Sequence, residues 1–122
     1  MSNNTTTRIG LIGLGNLGSA IGNLVATKGI PVLGWEYNSA VVDEINRDHT
    51  NSRYLPGIPL EPALAATTDI SAVLESCRIV FIALPSAFIQ STLRPVRQAA
   101  QADCILVNMA KGIDGETGLT AF

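Results

Sequence analysis

Three glycines, an acid and a lysine supply the residue types in this chain whose spacing could do chemistry. Gly13, Gly15 and Gly18 stand in the hexapeptide G-L-G-N-L-G, Glu36 closes the next apolar run, and Lys111 stands in A-K-G-I-D. Gly13 would permit a tight turn, Gly15 the approach of a pyrophosphate, and Gly18 the close packing of a helix on a strand. Amides near Asn16 and Leu17, at the start of that helix, would face phosphate charge with a favourable dipole behind them. Glu36 lies where a carboxylate can accept hydrogen bonds from both hydroxyls of an adenosine ribose. A bare glycine hexapeptide is weak; its context decides.

That context is strand, glycine turn, helix, strand, acid. Thr7–Ile12 reads as the first strand and Asn16–Lys28 as the first helix, stopped by Gly29. Val32–Trp35 is the second strand. Ser39 is a plausible N-cap for a short helix to about Arg47, with Val41, Val42 and Ile45 on its apolar face. From Thr50 to Pro62 three prolines and a glycine predict an ordered loop anchored by Tyr54, Leu55, Ile58 and Leu60. Leu64–Thr67 is a weak third strand, and Asp69 caps a helix through Glu75. Arg78–Leu84 is the strongest strand. Pro85 and Ser86 end it, and helix resumes from Ala87 until Pro95 breaks it. Cys104–Val107 is the fifth strand. Glu116–Phe122 reads as the opening turn of a helix with no stop signal after it, which predicts an amino-terminal piece of something longer.

Alternating strands and helices predict an α/β fold of the Rossmann type, a doubly wound parallel sheet in the order 3-2-1-4-5. Ligands then sit where the order reverses, between the turn at Gly13 and the turn at Leu84, Pro85 and Ser86. The domain would run from 8 to 122, behind a flexible leader of residues 1–7.

The chain has 122 residues, of which 47% are hydrophobic and 15% charged, against about 25% charged in an average domain. Parallel strands buried on both faces explain so apolar a sequence, as does a surface covered by another domain. A net charge of −2 with no basic cluster excludes a nucleic-acid footprint. No run is long enough to span a bilayer, and the polar start is not a signal peptide, so a cytoplasmic protein is expected. Cys77 and Cys104 lack metal or redox spacing and read as reduced thiols in the core. His49 reads as a solvated helix-end residue.

Four blocks resemble the glycerol-3-phosphate dehydrogenase family, amino-terminal half. Gly13–Ala20 (G-L-G-N-L-G-S-A) is similar to its opening fingerprint, and Asn51–Leu60 (N-S-R-Y-L-P-G-I-P-L) to its N-x-x-Y/F-L-P loop. Ala83–Phe88 resembles the turn after its fourth strand, and Ala110–Gly118 its K-G segment. The second and fourth blocks are the specific ones. The resemblance implies reduction of dihydroxyacetone phosphate to sn-glycerol 3-phosphate with NADH or NADPH. It implies pyrophosphate contacts at Gly13, Gly15, Asn16, Leu17 and Gly18, and Glu36 and Tyr37 around the adenosine. Phe88 would flank the nicotinamide, Pro85 and Ser86 would also contact the cofactor, and Lys111 would meet both cofactor and substrate. The proton-transferring lysine lies in the family's carboxyl-terminal helical domain, so this chain alone is expected to be inactive; a homodimer is a candidate assembly.

Lys111 also suits the expected substrate by charge, because an ammonium beside the nicotinamide would hold and polarise a dianionic ketone. Glu36 would repel the extra phosphate of NADP, so NAD is the expected cofactor; Arg47 and Arg53 are the cations that could soften that repulsion. Two other readings fit the first block. One is a hydroxyisobutyrate- or 6-phosphogluconate-type dehydrogenase, the other a stand-alone nucleotide-sensing module.

Overall fold

The structure is a computed structural model describing residues 8–100 and 103–109. Five short strands form one parallel sheet in the order β3-β2-β1-β4-β5. They are β1 (Ile9–Ile12), β2 (Val32–Trp35), β3 (Leu64–Thr67), β4 (Ile79–Ile82) and β5 (Ile105–Asn108). Ile9 lies beside Val32 on one side and Ile79 on the other, so β1 is central. The expected order is the observed one.

Each strand is four residues long, and the loss of a neighbour sets that length. The strand expected over Arg78–Leu84 is only Ile79–Ile82, because β1 turns away at Gly13 and leaves nothing to extend the ladder beyond the Ala83 amide. β5 is shifted one residue from Cys104–Val107, in register with β4.

Side chains alternate across the strands and divide the core in two. On one face, Ile9, Leu11, Val32 and Leu64 pack with α1 (Asn16–Thr27) and α2 (Ser39–Asp48). On the other, Ile12, Val80 and Ile82 pack with α3 (Ile70–Ser76) and α4 (Ser86–Leu93). Burial on both faces holds for β1 but not for β5, where Ile105 and Leu106 are exposed.

Helix ends are fixed locally. Gly29 follows α1 with φ +81°, as a glycine stop requires. The cap of α2 is Asn38 rather than Ser39: its side chain accepts from the Ala40 amide at 3.0 Å, and Ser39 already lies in the helix. Asp69 caps α3 through the Ser71 amide, as expected. α4 begins at Ser86, one residue early, and a 3-10 turn over Arg94–Ala99 carries Pro95.

His49 is half-buried, not solvated. It ends α2 with φ 56°, accepts the Leu60 amide on its carbonyl at 2.8 Å, and has a buried Nδ1 without a hydrogen-bond partner. Leu60 brings the proline loop back over it. Leu60 is buried in that loop, and Tyr54 and Leu55 pack on the core, but Ile58 is exposed and anchors nothing. Cys77 is buried and Cys104 half-buried, both free thiols; burial raises the pKa of each. The unfinished helix expected over Glu116–Phe122 lies outside the described residues, as does the leader 1–7.

Candidate functional site

The turn from β1 into α1 is built by two glycines for reasons internal to the protein. Gly13 has φ +104°, and a Cβ there would stand 2.9 Å from the Ala83 carbonyl oxygen. A Cβ on Gly18 would overlap the carbonyl oxygen of Gly13. The chain closes as tightly as it does because neither position carries a side chain. The Gly13 amide also donates to the Trp35 carbonyl at 2.9 Å, tying the turn to the end of β2.

Gly15 is different. Its φ is −75°, which any residue adopts, and a Cβ there would meet nothing within 4 Å. It lines a groove of about 720 Å³ between this turn and the turn after β4, a volume in the range of small-molecule and cofactor sites. Neither φ nor packing requires glycine at this position, although glycine is also a favourable N-cap. A bulky group lying against the backbone would.

The groove has a polar end and an apolar end. Gly13, Gly15, Asn16 and Leu17 form its floor, with Glu36 and Tyr37 beyond them at the end of β2. Glu36 is 4% exposed, and its Oε2 accepts from the Asn38 amide at 3.1 Å, so the carboxylate is held at the strand end. Tyr37 is 71% exposed. On the far side stand Ala83, Leu84, Pro85 and Phe88, the last 57% exposed.

Eight residues singled out from the sequence therefore line one groove. Gly18 does not line it; it lies behind the turn and lets the turn form. Ser86 opens α4 next to Pro85 but is not among the lining residues. Lys111 lies outside the described residues. The Leu17 amide, expected to face the ligand, donates instead to Asn16 Oδ1 at 2.9 Å. No acceptor among the described residues takes the Gly15 amide.

Sequence reasoning missed Trp35, Tyr54 and Thr92, which also line the groove. Tyr54 was visible as a core anchor of the proline loop, and Trp35 as the residue before the acid. Of the two cations expected to soften repulsion at Glu36, Arg47 pairs with Asp48 at 3.0 Å on the surface. Arg53 lies over the Tyr54 ring, 5.7 Å from its centroid.

The proline loop is held by α2. Glu44 Oε2 accepts from the Thr50 hydroxyl at 2.7 Å and the Ser52 amide at 2.9 Å, and Oε1 from the Ser52 hydroxyl at 3.0 Å. These bonds, the Thr50 hydroxyl foremost, hold its pKa below the ordinary carboxylate value. Among the described residues no cluster of three or more His, Cys, Asp or Glu could hold a metal, and no helix is long and apolar enough to cross a membrane.

Residues 8–121 match the family model described as NAD-dependent glycerol-3-phosphate dehydrogenase N-terminus. The glycerol-3-phosphate dehydrogenase [NAD(P)+] of Carboxydothermus hydrogenoformans is 37% identical over 107 residues, 88% of this chain and 32% of that protein. The glycerol-3-phosphate dehydrogenase structure from Coxiella burnetii superposes with a TM-score of 0.82 at 30% identity, over 91% of this chain and 34% of that one. The Saccharomyces cerevisiae enzyme superposes at 0.84 with 24% identity, over 96% and 37%, a likeness of fold. The chain thus spans about a third of the length of the curated relatives it matches.

Proposed function

The chain belongs to the NAD-dependent glycerol-3-phosphate dehydrogenase family, and on that premise we propose that its groove binds NAD(H) for reduction of dihydroxyacetone phosphate. Gly15 carries the reading: a glycine that neither φ nor packing requires lines the groove at the N-cap of a helix. Pyrophosphate laid against that turn would take the Gly15 amide and gain from the dipole of α1. Pyrophosphate would also compete for the Leu17 amide, which a rotation of the Asn16 side chain releases.

Glu36 and Tyr37 hold the adenosine end. A carboxylate fixed at the end of β2 accepts the ribose hydroxyls of NAD(H) and opposes the extra phosphate of NADP(H), a like-charge contact that costs several kcal/mol. NAD(H) is therefore the preferred cofactor, with Arg53, over Tyr54, the cation placed to moderate the preference. Pro85 and Phe88 form the apolar wall for the nicotinamide. When bound there, NADH would supply hydride chemistry toward the carbonyl carbon of dihydroxyacetone phosphate, with the proton for its oxygen coming from the helical domain of the whole family protein. Lys111 orients the substrate, and this segment alone is inactive.

Gly15→Ala is the discriminating variant. Calorimetric titration with NADH should show affinity reduced by about tenfold or more, while the melting temperature stays within about 3 °C, since the added methyl meets only open space. Unchanged NADH affinity would mean that the turn contacts no ligand. Parallel titration with NADPH should show weaker binding than with NADH; equal binding would remove the role of Glu36.

A further inference from the structure

Asn51 is fully buried, although it lies in the surface loop after α2 and does not line the groove. Its Nδ2 donates to the Leu14 carbonyl oxygen at 2.9 Å and to Ser19 Oγ at 2.8 Å. The Ser19 hydroxyl, equally buried, donates to the same Leu14 oxygen at 3.0 Å. Asn51 Oδ1 accepts from the Tyr54 amide at 3.3 Å. One side chain thus grips the glycine turn and the start of the Tyr54 segment together. Glu44 fixes the residues on either side of it, Thr50 and Ser52.

The consequence follows from the peptide plane. The Leu14 carbonyl and the Gly15 N–H belong to one planar trans peptide and point in opposite directions. Two donors that draw the Leu14 oxygen into the core therefore turn the Gly15 N–H outward, toward the groove that Gly15 lines. We infer that Asn51 is a positioning residue for the cofactor's pyrophosphate: by holding the Leu14 carbonyl inward it presents the Gly15 amide to the phosphate oxygens. The inference rests on the reading of the groove as an NAD(H) site.

Asn46 is the natural control. Its side chain makes a similar two-way contact with backbone, donating to the Ala66 carbonyl at 2.9 Å and accepting from the Ala66 amide at 2.8 Å, but on β3 and away from the groove. The test uses the intact 15N-labelled chain, titrated with NADH and followed by calorimetry, amide resonances and melting temperature. Asn51→Ala should weaken NADH binding about tenfold and shrink the ligand-induced shift of the Gly15 amide, while the Glu36 amide still responds. Asn46→Ala should lower the melting temperature and leave both binding readouts alone.

Asn51→Ala that binds within about twofold of wild type with the Gly15 response intact would overturn the inference. So would equal weakening by Asn46→Ala, which would make the effect one of stability. Should Asn51→Ala fail to fold, Ser19→Ala removes one of the two donors to Leu14 and should weaken binding about threefold; no weakening overturns the proposal. A wild-type chain whose Gly15 amide ignores NADH overturns the reading of the groove itself, and the inference with it.

Discussion

Along the glycine wall of the groove the backbone is pinned by buried contacts, whereas the wall running from Ala83 to Phe88 is apolar and open. On the first side the Gly13 amide is tied to Trp35, the Leu14 carbonyl to Ser19 and Asn51, and the Glu36 amide to the Thr67 carbonyl at 3.0 Å. On the second, Pro85 precedes α4 and gives it no side-chain cap, and Phe88 stands more than half exposed. The difference matches the two halves of a dinucleotide. Phosphates and ribose hydroxyls reward donors and acceptors fixed beforehand, because nothing then has to be ordered on binding. A nicotinamide ring needs an apolar face, and that face must stay open to admit a substrate.

The largest effect that would break this contrast is on the pinned wall. Gly18→Ala drives a methyl into the Gly13 carbonyl, and only backbone movement relieves it. The expected cost is about 3 kcal/mol of stability, or roughly 10 °C in melting temperature, with NADH binding lost alongside. A variant as stable as wild type would show that the turn is not rigid.

Next in size is the adenosine end. Glu36→Ala should cost NADH roughly tenfold in affinity and bring NADPH closer, since an acceptor and a like-charge contact go together. Titration with both cofactors reads it, and an unchanged ratio means the carboxylate points elsewhere. The smallest effect belongs to the open wall. Phe88→Ala should weaken NADH by about threefold without changing the melting temperature, because an exposed ring contributes little until the ligand covers it. A tenfold loss there would erase the contrast between the walls.

What was legible in the sequence followed from local signals. β2, β3 and the start of α1 fall where apolar runs and glycines put them, and the sheet order follows from the alternation of elements. The ends of β4 were not legible, because it stops where its neighbour turns and not where its own apolar run stops. Ser39 and Asn38 are both good caps, and only the backbone decides between them. Asn51 escaped because its partners, Leu14 and Ser19, lie 37 and 32 residues away; sequence showed a loop block, not a clamp on the glycine turn. His49 looked solvated because nothing local reveals that Leu60 returns to cover it. Burial of parallel strands on both faces did not extend to β5, where Ile105 and Leu106 are exposed.

The most direct test of the central claim is a crystal structure of this chain with NADH. The pyrophosphate is expected within hydrogen-bonding distance of the Gly15 amide, with the adenosine ribose on Glu36. NADH bound with its pyrophosphate away from the glycine turn would contradict it.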